Sequence, residues 1–259
     1  MLGALAGDII GSRFEFANRK SKDFELFHPD CRFTDDSVLS VALAESLLTG
    51  EDYAGLMRRY YRSYPDAGYG GYFRHWAQNS ALGPYHSFGN GSAMRTSQVG
   101  WYFDELEAAL AAAERHAAVT HNHPEGIKGA QAITAAIVLA RQGRSKAQIR
   151  AEIEGRFGYD LDRSLETIRP GYTFDVTCQG SVPEALIAFF EADGVEDAIS
   201  NAVSLGGDSD TIACMAGAVA EAYFGGVPEK IARGVFERLD SPLAAIVRKF
   251  RRAAGTSAD

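Results

Sequence analysis

Two short stretches of the chain concentrate threonine and aspartate at the start of an apolar helix, FTDDS (33–37) and GGDSDT (206–211). One aspartate suffices to cap a helix, and we expect Asp208 to be the N-cap in the second stretch. A second carboxylate there is excess charge, because burying an unpaired carboxylate is costly unless a cation accompanies it. Oxygen ligands of this kind suit Mg²⁺ or Mn²⁺, and two such groups can share a carboxylate between two ions. The two helix starts together predict a binuclear metal site.

Other polar residues have weaker patterns. Glu15 and Asp66 lie in irregular stretches, where an isolated acid is more often solvated than catalytic. His121 and His123 lack partners at zinc-ligand spacing, so we expect them to line a pocket or brace a turn. The glycine-rich segment GNGSAM (89–94) could hold a phosphate on its backbone amides, although such loops are common.

The elements that must position these residues are almost all helices. Apolar residues recur at helical spacing after each acidic stretch, and further helices are predicted over residues 2–12, 52–64, 105–118, 124–141 and 145–156. A capping box predicts another helix start at Ser181, with Glu184 three residues later. Residues 13–33 have no helical period, and residues 157–180 could hold a short strand or an aromatic lid. With no internal repeat visible, the chain is predicted to form a compact single-domain orthogonal bundle of the all-α class.

Composition excludes several classes of protein. The chain has 259 residues, of which 46% are hydrophobic, and a formal net charge of −8, which argues against nucleic acid as a general partner. Its three cysteines, Cys31, Cys178 and Cys214, are widely separated and fit a reducing compartment better than a disulfide framework. No stretch is typical of a signal peptide or a membrane span, and we expect a cytoplasmic monomer.

Five motifs occur in an order that resembles the ADP-ribosylglycohydrolase family: GDIIGS, FTDDS, GNGSAMR, THNHPE and SLGGDSDTIACMAGAVAEAYFG. The last motif is the most specific, and together they span most of the chain. The resemblance implies an all-α single domain over residues 1–259. It also implies two Mg²⁺ or Mn²⁺ ions at the base of an ADP-ribose cleft.

The resemblance assigns roles to individual positions. It implies metal ligands at Thr34, Asp35, Asp36, Asp208, Asp210 and Thr211, with Asp210 as the bridge. The diphosphate and distal ribose would bind Ser87, Phe88, Gly89, Asn90 and Gly91, with His121 in the pocket and Tyr172 stacked on adenine.

The implied reaction is hydrolysis of the glycosidic bond at the anomeric carbon of ADP-ribose, by a water that the metal ions activate. Proton transfer would fall to Glu15, Asp35 or Asp36. Glu15, in GSRFE, and the GYGG of residues 68–71 resemble the branch that acts on ADP-ribosylserine, whereas Asp66 resembles an acid of the arginine-directed branch. We expect an O-linked, serine-type substrate and ADP-ribose as product. The alternatives are an arginine-directed N-glycohydrolase and an ADP-ribose-binding module without catalysis.

Overall fold

The computed structural model describes residues 1–256, in which helices are joined by loops and no β-strand occurs. The helices are α1 (Leu2–Gly11), α2 (Asp35–Thr49), α3 (Tyr53–Ser63), α4 (Gly71–Gln78), α5 (Gly91–Met94), α6 (Ser97–Tyr102), α7 (Leu106–Ala117), α8 (Pro124–Arg141), α9 (Lys146–Phe157), α10 (Leu165–Ile168), α11 (Cys178–Phe190), α12 (Val195–Val203), α13 (Ser209–Tyr223), α14 (Glu229–Phe236) and α15 (Ser241–Ala253). The predicted all-α fold is confirmed.

Helices α1 and α13 lie backbone to backbone and run antiparallel. A Cβ atom built on Gly3 would lie 2.1 Å from the carbonyl oxygen of Gly217, and one on Gly7 would lie 2.0 Å from that of Ala213. No residue with a side chain fits at such distances, so the glycines of α1 set the helix separation. This contact brings Asp8, near the C-terminal end of α1, to the first turn of α13.

Helix α13 is central to the hydrophobic core. Residues 209–222 are all buried, and α8, α11 and α12 pack around them. The alanines and glycine of this helix allow its neighbours to approach closely. Its acidic first turn therefore lies deep in the protein. Within residues 1–256, every helix is too short or too polar to cross a lipid bilayer.

One local prediction is wrong. Helix α11 begins at Cys178 rather than after Ser181, because the Thr177 side chain accepts from the Gly180 N–H and caps the helix four residues earlier. The Ser181 hydroxyl lies inside the helix and donates to the Thr177 carbonyl, while Glu184 pairs with Arg163. For residues 157–180, where a short strand or an aromatic lid was left open, the structure shows the short helix α10 and no strand.

Candidate active site

The turn between α12 and α13 requires glycine at two consecutive positions. Gly206 and Gly207 have φ of +71° and +73°, a left-handed conformation that L side chains rarely adopt. The Gly207 N–H donates to the side-chain oxygen of Asn18, and Lys20 donates to the Leu205 carbonyl. The irregular loop 13–33 is thereby attached to the turn that presents the acids of α13.

Asp208 does not cap α13 with its side chain, which corrects the prediction made from the sequence. Its carboxylate makes no capping hydrogen bond and instead accepts from the Asn90 side-chain amide, at 2.7 Å. Asn90 comes from the glycine-rich loop, so this bond joins the loop to the acidic turn. Thr34, by contrast, caps α2 as predicted and accepts from the Asp36 N–H.

Asp8 organises the start of α2, a role that sequence reasoning did not assign to it. One of its carboxylate oxygens accepts from the Thr34 hydroxyl at 2.6 Å. The other accepts from the N–H groups of Thr34 and Ser37, at 3.0 and 3.1 Å, and from the Ser37 hydroxyl. The signal in the sequence was a single acid inside an apolar helix, since a buried carboxylate needs hydrogen-bond donors or a cation.

Five acidic residues form two groups that share one member. Carboxylate oxygens of Asp8, Asp36 and Asp210 lie within 4.8 Å of one another, as do those of Glu15, Asp208 and Asp210. Asp210, the predicted bridge, is the residue common to both groups. Asp35 lies at the cavity wall beside them but belongs to neither group.

The acidic residues have the electrostatic features of a cation site. Burial, followed by repulsion from neighbouring carboxylates, raises the pKa of Asp35 to about 8 and that of Asp210 well above its usual range. Asp36 Oδ1 is buried without a hydrogen-bond partner, and none of the ion pairs in residues 1–256 involves these acids. An all-oxygen donor set with an unpartnered oxygen and uncompensated charge fits Mg²⁺ or Mn²⁺.

A cavity of about 330 Å³ opens above the acids. The predicted site residues that line it are Glu15, Thr34, Asp35, Asp36, Ser87, Gly89, Asn90, Gly91, His121, Asp208, Asp210 and Thr211. Its volume is within the range of small-molecule sites. Residues from both ends of the chain and from the middle therefore meet at one cleft.

The glycine-rich loop is held against the segment that precedes α11. Asn90 N–H donates to the Val176 carbonyl at 2.8 Å, and Cys178 N–H donates to the Phe88 carbonyl at 3.0 Å. Gly89 and Gly91 face the cavity, whereas the Phe88 ring turns away from its lining and packs on His123 at 5.3 Å. The loop thus presents mainly small residues and backbone to a ligand.

The two histidines divide the roles expected of them. His121 is buried in the cavity wall, with Nδ1 2.7 Å from the Thr120 hydroxyl oxygen. Burial, followed by the charge of Arg95, lowers the pKa of His121 well below its usual value, so the ring is neutral at neutral pH. His123 caps α8 by accepting from the Glu125 N–H at 3.1 Å.

Two other predicted residues lie away from the cleft. The Tyr172 hydroxyl donates to the Gly180 carbonyl at 2.8 Å, and its ring packs beside the α13 turn rather than lining the cavity. Phe174 lines the cavity instead, 47% exposed and stacked on Phe16 at 6.1 Å. Asp66 is exposed and lies outside the cavity lining.

Glu15 reaches the acidic groups from the irregular loop. Partial burial, followed by repulsion from Asp208 and then Asp8, raises the pKa of its carboxyl to about 7. Phe14, the preceding residue, is buried against Phe24, and this contact anchors the backbone just before Glu15 in the core. A carboxyl with this pKa can hold or release a proton at neutral pH.

Comparison with known proteins identifies the family. A family model described as ADP-ribosylglycohydrolase matches residues 1–257. The ADP-ribosylhydrolase ARH3 of Homo sapiens is 26% identical, over 98% of this chain and 93% of the relative, and that of Mus musculus is also 26% identical, over 98% and 91%. An ADP-ribosylarginine hydrolase, Tri1, of Pseudomonas putida (strain GB-1) is 26% identical over 90% of this chain and 73% of the relative. A solved structure described as an ADP-ribosylglycohydrolase-related protein complex has the same fold, with a TM-score of 0.72 at 24% identity over 98% of this chain and 97% of that chain. The protein described here thus belongs to the ADP-ribosylglycohydrolase family, as its motifs predict, and is a glycohydrolase enzyme of a family that acts on ADP-ribosylated substrates.

Proposed function

We propose that this enzyme hydrolyses the bond between the anomeric carbon of ADP-ribose and an O-linked, serine-type acceptor, with two divalent cations, Mg²⁺ or alternatively Mn²⁺. One observation carries the proposal: members of both acidic groups line the same cavity as the glycine-rich loop, namely Glu15, Asp36, Asp208 and Asp210 with Ser87, Gly89, Asn90 and Gly91. A ligand with a ribose at one end and a diphosphate beside it matches these two neighbouring surfaces.

The proposed ligand set consists of the predicted oxygen-bearing residues that line the cavity. Asp36, Asp208 and Asp210, with the hydroxyls of Thr34 and Thr211 and the carboxylate of Asp35, would hold the cations at the cavity wall: all six line it. Asp8 already accepts from four donors of α2, so we assign it to bracing that helix start. When bound, divalent cations supply Lewis-acid activation of water and of the ribose hydroxyls.

The chain's own residues position the substrate around that centre. Gly89 and Gly91 leave room for a diphosphate to approach the loop backbone, and His121 Nε2 lies beside both glycines. Asn90 links this loop to Asp208, so the loop that would bind the diphosphate has a fixed position relative to the acidic turn. Fixing the diphosphate and the distal ribose in this way positions the anomeric carbon for attack.

Glu15 is the proposed proton-transfer residue. A departing serine is an alkoxide unless it gains a proton, and the partial burial that raises the pKa of Glu15 favours the protonated carboxyl that donates one. Its carboxylate lies within 4.8 Å of Asp208 and Asp210 oxygens, next to the proposed metal ligands. This placement favours the O-linked branch, because Asp66, the corresponding acid of the arginine-directed resemblance, faces solvent outside the cavity lining.

A substrate panel tests the proposal. Peptides ADP-ribosylated on serine or arginine, and ADP-ribosylated nucleic acid, are incubated with the Mg²⁺-loaded enzyme, and released ADP-ribose is measured. We expect turnover of the serine peptide, a loss of ~10²-fold or more in Glu15→Gln because proton transfer contributes about that much, and little change in Asp66→Asn.

Two outcomes would contradict it. Full activity after chelation of divalent cations would refute the metal requirement. Arginine-linked turnover that survives Glu15→Gln and disappears in Asp66→Asn would place the enzyme with the arginine-directed branch, to which the similarity with Tri1 also points.

A further inference from the structure

Arg95 is a buried cation with no carboxylate partner. Its side chain is 2% exposed, and among residues 1–256 its charge takes part in no ion pair. A buried charge without a counter-ion is costly, so its retention calls for a functional explanation. Arg95 also lines the cavity, and it is the only lysine or arginine of the described residues to do so.

The guanidinium is connected to the loop through a short chain of hydrogen bonds. Arg95 Nη2 donates to the Thr120 hydroxyl oxygen at 2.7 Å, and that oxygen lies 2.7 Å from His121 Nδ1. A guanidinium can only donate, so the Thr120 hydroxyl accepts from it and has its own hydrogen available for His121. With that hydrogen directed at His121, Nδ1 is an acceptor.

An accepting Nδ1 fixes where the proton of His121 lies. A neutral imidazole with Nδ1 accepting carries its hydrogen on Nε2. That nitrogen would lie 3.2 Å from a Cβ built on Gly91 and 3.6 Å from one on Gly89, so it faces the glycine-rich loop across the space that glycine leaves open.

We propose that Arg95 is a positioning residue for the diphosphate of ADP-ribose: through Thr120 it fixes His121 with an Nε2–H donor toward the loop, and it supplies the positive charge of that wall. The inference rests on the proposed function, since it assumes that ADP-ribose occupies this cavity. A dianionic diphosphate beside several carboxylates gains from a fixed cation in the same cavity lining.

The test combines affinity with a spectroscopic signature. Binding of ADP-ribose to the Mg²⁺-loaded protein is measured by calorimetry for wild type, Arg95→Met, Arg95→Lys and Thr120→Val. We expect Arg95→Met to weaken binding ~10- to 100-fold, as loss of one nearby charge would, and Arg95→Lys to retain most of the affinity. In hydrolysis assays the Arg95→Met defect should appear mainly in KM.

The tautomer is read independently of activity. In the free protein, ¹⁵N NMR of His121, assigned with His121→Asn, should report a hydrogen on Nε2 in wild type and a shifted equilibrium in Thr120→Val. Arg58→Met is the matched control, since Arg58 stacks on Trp76 at 4.0 Å and lies outside the cavity lining. It should leave both affinity and the His121 signals unchanged.

The outcomes separate this inference from the proposed function. Wild-type affinity in Arg95→Met, or an Nδ1–H tautomer in the wild-type protein, would overturn the role of Arg95 while leaving the ADP-ribose assignment intact. A wild type that shows the expected tautomer but binds no ADP-ribose would refute the proposed function and the inference with it. Equal losses of melting temperature and affinity in Arg95→Met and Arg95→Lys would also overturn it, because they would mean a purely structural role.

Discussion

Replacement of Gly7 by alanine should force α1 away from α13. The new Cβ would lie 2.0 Å from the Ala213 carbonyl oxygen, whereas ordinary contacts begin near 3.4 Å. The obstacle is backbone of a buried helix and cannot rotate aside, so the helices must separate by about 1.4 Å at this point.

Two opposing free-energy terms decide the effect on stability. Alanine is favoured over glycine in a helix interior by ~1 kcal/mol. Overpacking of a well-packed core costs ~1–3 kcal/mol, and a backbone obstacle places this site at the upper end. We expect the unfolding free energy to fall by about 1–2 kcal/mol.

The same displacement should reach the candidate site. Asp8 follows Gly7 directly, and its carboxylate holds the first turn of α2 through Thr34 and Ser37. A shift of about 1 Å in catalytic groups typically costs ~10²-fold in rate. Activity should therefore fall further than the loss of folded protein explains.

Urea unfolding followed by circular dichroism, with ADP-ribose release measured on the same samples, checks both parts. Gly155→Ala is the matched control, because Gly155 lies on the exposed side of α9 with open space around its Cβ position. It should gain up to ~1 kcal/mol of stability and keep full activity. If Gly7→Ala gained stability as the control does, or kept wild-type activity, the tight packing of α1 on α13 would not govern the site.

Three further predictions concern the acids and the loop that covers them. Asp210→Asn should lower activity by ~10³-fold or more, because both acidic groups lose their common member. The same change should raise the melting temperature of the chelated protein, because it removes a buried charge. A lower melting temperature would contradict this. In the chelated protein, the raised pKa values of Glu15 and Asp35 mean that the folded state binds more protons than the unfolded one between about pH 4 and pH 8. Stability should therefore fall as pH rises through that window, and Mg²⁺ should raise the melting temperature more at pH 8 than at pH 5; equal stabilisation at both would count against the linkage. Asn18→Ala removes the bond to the Gly207 N–H, so cleavage of loop 13–33 by added protease should accelerate and activity should fall, and unchanged cleavage would show that other contacts hold the loop.

Local sequence rules predicted most of the helix starts, but they did not predict which partners the side chains at those starts contact. Thr34 caps α2 as expected, since that interaction involves neighbours in sequence. Asp208 has the residue type of a cap, but Asn90, 118 residues earlier in the chain, competes for its carboxylate. No residue near Asp208 in the sequence indicates that partner.

The same limit applies to the irregular segments. Without a helical or strand period, the tract around residues 172–176 gave no means of knowing which aromatic ring faces the cleft. In the structure the Tyr172 hydroxyl donates to the Gly180 carbonyl, and Phe174 lines the cavity. Asp8 was recognisable as an anomaly, an acid in an apolar helix, but its role required the packing of α1 on α13.

The antiparallel contact of α1 with α13 also has a temporal consequence. Asp8 and Asp210 are about 200 residues apart in the chain, and at ~5–20 residues per second a ribosome needs roughly 10–40 s to synthesise that interval. Throughout that time the glycine face of α1 has no partner, and no pair of acidic groups exists to capture a cation. Loading of the proposed metal site would therefore be a late event in the life of the nascent chain, and a ribosome-stalled fragment that ends before α13 should take up no metal at this site.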